Sequence, residues 1–289
     1  MAGFLSGLAS LGLKNLENMD IYEEPQKEGD KGAKPAGKTE VKPEVEEKDL
    51  IYVKTLECPV CGRNFPTKIV KTGKAKLLST DYDLRPRYEG IDMVKYDVQV
   101  CLNCGYAALS RFFPMVSSSQ AKLIRENISK SVRLRSYDGE TYSYEEALER
   151  YQLALANAVV KHAKNSEKAY TCLKTAWLLR TYAESMAGQW DRNIEIEQIK
   201  AEEDSYLENA YNGFLEARKQ EQAPICGMDE VTVDYLIAVL AHHLKHYDVA
   251  ARMVSVVLVS HSATSRMKDR ARELKDQILA ETSRKPADV

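Results

Sequence analysis

The chain of 289 residues lacks any run of the roughly 18 to 20 consecutive apolar residues that a membrane-spanning helix requires, which excludes an integral helical membrane protein. It lacks a charge bias. Its 41 Lys and Arg against 43 Asp and Glu leave a net charge of −2, no global signature of a nucleic-acid or membrane-surface binder. Cysteine is sparse: six residues, four of them in two pairs, do not make the dense framework of a secreted disulfide scaffold. Missing too are a phosphate-cradling glycine loop, a nucleophile elbow and a Rossmann fingerprint. The histidines do not make up for them. His242, His243 and His246 have no intervening Glu to serve as the base of a His-Glu-x-x-His zinc site, and neither His162 nor His261 has an acid and a nucleophile around it. A non-enzymatic protein is expected.

What is present is ordinary globular composition, 44% apolar and 29% charged, enough for a real core in two or three domains. The near-neutral total divides unevenly, with net charges of −4, +4 and −2 over residues 1–49, 50–115 and 116–289. Met1 to Leu13 carries an apolar run like a signal-peptide core, but no basic flank precedes it and Lys14 follows it, so a cytoplasmic chain is expected. Phe4, Leu5, Leu8, Leu11, Leu13, Leu16 and Met19 recur at helical spacing. Residues 1–22 therefore read as an amphipathic helix that docks on a second surface. Residues 23–49 are Glu, Lys, Pro and Gly with little to bury, a disordered charged linker.

The sharpest chemistry lies in residues 50–115. Cys58-Pro59-Val60-Cys61-Gly62 and Cys101-Leu102-Asn103-Cys104-Gly105 repeat one pattern, two thiolates gripping an ion from a tight turn and a glycine supplying the positive φ that such a turn requires. Cys58, Cys61, Cys101 and Cys104 make a complete tetrahedral shell with no open position, hence a structural site, with zinc preferred over iron. A thioredoxin-like redox pair does not account for the second copy. The 39 residues from Gly62 to Val100 exceed the roughly 15 to 20 of a minimal four-cysteine site, so further structure is expected between the pairs. Val94, Tyr96, Val98 and Val100 alternate with polar residues and read as a strand. Ile69 and Val70, then Leu77 and Leu78, broken by Thr72-Gly73, read as a hairpin. This is the layout of a zinc ribbon. Such a small module is marginal without a metal worth on the order of 10 kcal/mol, so chelation should unfold residues 50–115 before the rest. Asp81 to Gly90 is an added loop, either solvated with its Arg and Asp pairing among themselves or a binding loop presenting Arg85, Arg87 and Tyr88 to a partner. Lys68, Lys71, Lys74 and Lys76 add a basic edge.

Residues 116–289 turn to a period of 3.6. Ser117 with Gln120 and Ser143 with Glu146 have capping-box spacing. Apolar stripes follow from Ala147 to His162 and from Ala169 to Tyr182, then helices over about 193–221, 230–244, 246–260 and 264–281. Small residues Ala238, Ala241, Ala250 and Ala251 are expected at helix crossings. Ala238, Tyr247, Ala250, Val254 and Val257 match the tetratricopeptide pattern of two packed helices. In that register Val239, His242 and His243 line the concave groove and are candidates for partner contact. The unpaired Cys172 and Cys226 read as packing residues. The fold class expected is α+β, mostly α: a four-cysteine zinc-ribbon module followed by a TPR-like antiparallel helical array.

Four segments carry a family resemblance: Cys58-Pro-x-Cys61-Gly; Asp83-x-Arg85-Pro86-x-Tyr88-x-Gly90-Ile91; Tyr96-Asp97-Val98-x-Val100-Cys101-x-x-Cys104-Gly105-Tyr106-Ala107; and Ala176-Trp177-Leu178-x-Arg180. They resemble the bacterial domain of unknown function 2225 over about residues 50–260. The resemblance implies a zinc-ribbon-like head and tetratricopeptide-like helices in a cytoplasmic bacterial protein, and brings no activity with it. The expected function is a zinc-binding adaptor whose helical groove holds a peptide or protein. Its alternative is a nucleic-acid-associated accessory protein using the basic ribbon, with Tyr82 and Tyr88 available for stacking.

Overall fold

A computed structural model describes residues 46–134 and 139–283. All of these lie in the second of two compact units, Val45–Val289. The expected helix at 1–22 and most of the linker at 23–49 lie outside the described residues. The end of that linker is ordered. Glu47–Leu50 form a 3-10 turn, where Glu47 pairs with Lys95 at 2.8 Å and accepts the Tyr96 hydroxyl at 2.8 Å.

The unit is mostly helical, with three two-stranded antiparallel sheets. Strand β1 (Ile51–Glu57) pairs with β2 (Asn64–Val70), β3 (Leu77–Thr80) with β4 (Pro86–Tyr88), and β5 (Val98–Val100) with β6 (Ala107–Leu109). Two expectations change here. Val70 pairs with Ile51 and Leu77 with Tyr88, so Ile69-Val70 and Leu77-Leu78 belong to different hairpins. The seven-residue β1 offers β2 a longer ladder than the exposed Leu77 and Leu78 would. The strand expected over Val94–Val100 is shorter, because Met93–Tyr96 form a 3-10 turn whose first free N–H, that of Val94, is capped by the Asp92 carboxylate at 2.9 Å. The alternation there was not a sign of one wet face: Lys95 and Gln99 are buried along with their apolar neighbours.

The helices fall close to their expected bounds. They are α1 (Ser118–Ile124), continuing as a π turn over Arg125–Ser129, α2 (Tyr144–Val160), α3 (Asn165–Ser185), α4 (Asn193–Gln220), α5 (Glu230–His243), α6 (Tyr247–Val259) and α7 (Ser265–Ser283). Ser117 and Ser143 close the capping boxes that open α1 and α2, and Asp229 accepts the Thr232 N–H at 2.8 Å to open α5. Each helix from α2 to α6 packs on its successor, and the short turns between most of them make those neighbours antiparallel. Ala238, Ala241 and Ala250 are fully buried where α5 meets α6, whereas Ala251 faces outward. A closer crossing was not anticipated: a Cβ on Gly213 of α4 would come within 2.7 Å of Ala169 Cβ on α3.

Sheet and helix share one core. Val94, Val98, Val100 and Leu109 belong to the same buried cluster as Tyr151, Leu173 and Phe214. Side chains of α2 also complete strand and knuckle backbone: the Tyr151 hydroxyl donates to Val94 O (2.9 Å), Arg150 to Val98 O (2.8 Å) and Asn157 to Gly105 O (3.0 Å).

Candidate metal centre

Both cysteine pairs occupy six-residue loops that close hairpins, Cys58–Arg63 between β1 and β2 and Cys101–Tyr106 between β5 and β6. The two loops have the same internal bonding. The Cys58 N–H donates to Arg63 O and the Gly62 N–H to Cys58 O; in the second loop Cys101 donates to Tyr106 O and Gly105 to Cys101 O. The glycine sits at φ +68° in one and +73° in the other, the left-handed conformation that a Cβ disfavours. Main-chain N–H groups two and three residues on face the first sulfur of each loop, those of Val60 and Cys61 at Cys58 and those of Asn103 and Cys104 at Cys101.

The loops bring all four sulfurs within 4.8 Å of one another, with Cys58 to Cys104 at 3.6 Å and Cys61 to Cys101 at 3.7 Å. Metal–sulfur bonds of ~2.3 Å at tetrahedral angles require edges of about 3.8 Å, so the donor set fits one four-coordinate ion. Disulfide bonding is not involved, since all six cysteines are free. Hydrogen bonds from Cys104 and Cys58 hold the Cys101 thiol below its ordinary range. The Cys101 thiolate in turn pushes the Cys58 and Cys104 thiols up. A cation placed among the sulfurs removes that conflict by favouring every thiolate at once.

Helical segments hold the centre from outside. The Arg125 guanidinium donates to Val60 O at 3.0 Å and the Ser129 hydroxyl to Cys104 O at 2.7 Å, both from the π turn after α1. Phe65, Tyr106, Phe113 and Ile124 enclose the sulfurs in an apolar shell. This sets the two glycines apart. A Cβ on Gly105 would meet Val132 Cγ1 at 2.6 Å, while one on Gly62 meets nothing within 4 Å. Gly62→Ala is expected to cost about 1–2 kcal/mol from its backbone conformation alone. Gly105→Ala adds overpacking, for a total of about 2–4 kcal/mol. Thermal melting of the two variants side by side checks the difference; equal losses would show that Val132 does not press on the second loop.

The five-residue loop between β3 and β4 is closed at its base into a tight turn over Tyr82, Asp83 and Leu84. The Asp81 N–H donates to Arg85 O at 2.9 Å and Leu84 sits at φ 72°, where glycine is usual. It is not a solvated loop. Asp83 is 5% exposed and accepts the Trp177 indole N–H (3.0 Å), Arg180 (2.7 Å) and the Arg85 backbone N–H (3.3 Å). Arg180 also donates to Glu203 at 2.6 Å. The Arg85 guanidinium, 2% exposed, bonds Asp81, Thr181 and Glu184, while Arg87 spans Asp81 and Glu184 from the surface. Burial opposes ionisation of Asp81 and Glu184, but hydrogen bonds from Arg87 and Arg85 prevail and hold both carboxyls below their ordinary range. The Asp83-x-Arg85 and Trp177-x-x-Arg180 segments, far apart in sequence, thus form one ion-pair network that ties the loop to α3.

This placement redistributes the expected contact residues. Arg85, expected to contact a partner, is buried, with its guanidinium bonded to Asp81, Thr181 and Glu184. Arg87 is partly exposed, and Tyr88 is half-buried against the cluster of Leu50, Ile51, Ile91 and Tyr96. Val239, His242 and His243 lie together along a cleft of about 850 Å³, opposite Asp81, Tyr82 and Asp83 of the docked loop. His242 contacts Glu281 at 3.2 Å and His243 contacts Asp204 at 2.7 Å. Tyr82, exposed on the loop's tip, and Glu203 and Glu273 on the helical walls are cleft residues that periodicity alone did not single out. The acid-rich α4 was the available signal for Glu203. No described helix is long and apolar enough to cross a membrane.

A search of curated proteins and a search of solved structures each found no match. A family model described as "Uncharacterized protein conserved in bacteria (DUF2225)" matches residues 51–278, a span that includes both cysteine loops, the docked loop, and the helices through most of α7. The chain belongs to that bacterial family.

Proposed function

We propose that this protein is a non-enzymatic adaptor of the bacterial cytoplasm. In this reading a structural zinc fixes a ribbon-like head, and a TPR-like helical array holds a peptide or protein segment in its cleft. The observation that carries the reading is the convergence of Val239, His242 and His243 with Tyr82 on one cleft of about 850 Å³, a volume suited to several side chains. The packing of Ala238 against α6 through Ala250, Val254 and Val257 supports the tetratricopeptide comparison for the α5–α6 pair. Zinc is favoured over iron as a closed thiolate site with no redox demand, and six free cysteines suit a reducing compartment.

The basic edge gives less support to a nucleic-acid role. Lys71 donates to Asp49 O at 2.7 Å, Lys76 pairs with Glu89 at 3.6 Å, and Lys68 lies over the Tyr142 ring. Affinity capture from the native host tests the adaptor reading, comparing the wild type with His242→Ala/His243→Ala and Tyr82→Ala. Specific proteins should be lost from both variants while folding is unchanged. Identical partner sets would overturn the assignment of the cleft.

A further inference from the structure

One cation beside the cysteine loops is committed to a loop and to no acid. Arg125 opens the π turn after α1, and its guanidinium donates to Val60 O at 3.0 Å, with no carboxylate partner among the described residues. Lys161 offers the contrast. It lies over the ring of Tyr106 in the second loop, but its side chain is buried and pairs with Glu167 at 2.7 Å, so its charge is already met.

The bond to Val60 reaches a ligand sulfur through one peptide unit. The Val60 carbonyl and the Cys61 N–H belong to the same planar amide, and that N–H faces the Cys58 sulfur. A guanidinium on the carbonyl polarises the amide and strengthens what its N–H donates. The same bond fixes the plane that carries the Cys61 Cα. Ser129, at the other end of the turn, acts on a different bond: it donates to Cys104 O, and the N–H of that amide, on Gly105, closes the second loop on Cys101 O. Only Arg125 brings a positive charge.

That charge suits a loaded cluster. Four thiolates around one divalent ion leave a net negative charge to be offset inside the apolar shell of Phe65, Tyr106, Phe113 and Ile124. The N–H dipoles of the two loops supply part of the compensation, and a cation hydrogen-bonded into one of those amides supplies more. Groups in this outer layer typically change metal affinity by about 10–100-fold.

We infer that Arg125 is a positioning residue for the metal centre: through the Val60–Cys61 amide it holds the Cys58–Cys61 grip in its binding geometry and offsets the negative charge of the loaded cluster. The inference rests on the four-cysteine site holding an ion and names a residue outside the ligand set that tunes it. The test uses the full chain loaded with Zn²⁺ and, in parallel, with Co²⁺. Zinc release into an excess of chromogenic chelator should be about tenfold faster for Arg125→Gln than for the wild type, and Arg125→Lys, which restores a charged donor, should recover most of the difference. Ser129→Ala should change the rate by no more than about threefold, and Lys122→Gln, which removes an exposed charge from α1, should leave it unchanged. In the cobalt forms the sulfur-to-metal absorption of Arg125→Gln should move to longer wavelength, because a weakened N–H donor leaves the Cys58 sulfur a stronger electron donor; loss of packing alone would not move that band. Equal release from Arg125→Gln and the wild type would overturn the inference and leave the metal centre in place. Faster release that lysine does not recover, with the band unmoved, would reduce Arg125 to packing and overturn it as well. A wild-type chain that retains no ion would remove the metal centre itself.

Discussion

A Cys101→Ser chain should fail to hold a metal ion at the four-cysteine cluster and melt as one unit, with the helical signal falling together with the sheets. Cys101 is fully buried, and a serine hydroxyl cannot replace a thiolate in a soft four-sulfur shell. A structural ion of this kind contributes on the order of 10 kcal/mol, against a total stability of about 5–15 kcal/mol for a typical domain. An isolated ribbon would unfold alone, as the sequence leads one to expect for residues 50–115. The packing argues otherwise. Val98, Val100 and Leu109 fill the core that Tyr151, Leu173 and Phe214 also fill, and three side chains of α2 hydrogen-bond to Val94, Val98 and Gly105. Releasing β5, β6 and the adjoining backbone strips those helices of apolar cover and removes the carbonyls of Val94, Val98 and Gly105 that accept from Tyr151, Arg150 and Asn157. Far-UV circular dichroism of the wild type with and without a chelator, beside Cys101→Ser, checks this, with elemental analysis for one ion per chain. A metal-free protein whose helices melt unchanged would show that the four-cysteine sheets and the helices fold independently; a metal-free preparation that is fully folded would remove the structural ion altogether.

Sequence patterns exposed the parts of the molecule that are governed locally. The Cys-x-x-Cys-Gly repeats specify their own turn geometry, and Ser117, Ser143 and Asp229 open helices through contacts three residues away. Long-range partners were not legible in this way. Nothing around Ile51 announces that it pairs with Val70, and the alternation through Val94–Val100 mimics a half-exposed strand although α2 and α3 cover it. The docked loop shows the same limit from the other side. Its charges read as solvated because their partners, Trp177, Arg180, Thr181 and Glu184, lie on α3 nearly a hundred residues later. The family resemblance had already picked out Asp83, Arg85, Trp177 and Arg180 as separate segments, and the fold explains their joint occurrence: they are one contact. The same contact places Tyr82 across from Val239 and His242, so the cleft depends on it.

Asp83→Ala should therefore destabilise the protein by about 3–5 kcal/mol, the range for removing one member of a buried charge network. The substitution strands the Trp177 indole N–H and the Arg85 backbone N–H, and leaves the guanidinium of Arg180 with Glu203 alone. It also releases a turn that holds Leu84 in a conformation that ordinary residues avoid. Asp83→Asn keeps an acceptor for the indole but not the charge facing Arg180, so its loss should be smaller. An exposed pair sets the scale: Asp269→Ala, which removes a surface partner of Arg272, should stay within about 1 kcal/mol. Denaturant midpoints for the three variants give the comparison, and hydrogen exchange at the Arg85 amide reports whether the loop opens. Acid should act on the same network through Asp81 and Glu184. Their folded-state pKa values lie below the unfolded ones, so their contribution is fully present above the unfolded values, near about 4, and is lost as pH falls through the folded values. If Asp83→Ala proved no more costly than Asp269→Ala, the loop would not be anchored to α3, and the cleft wall carrying Tyr82 would have no fixed position from which to meet a partner.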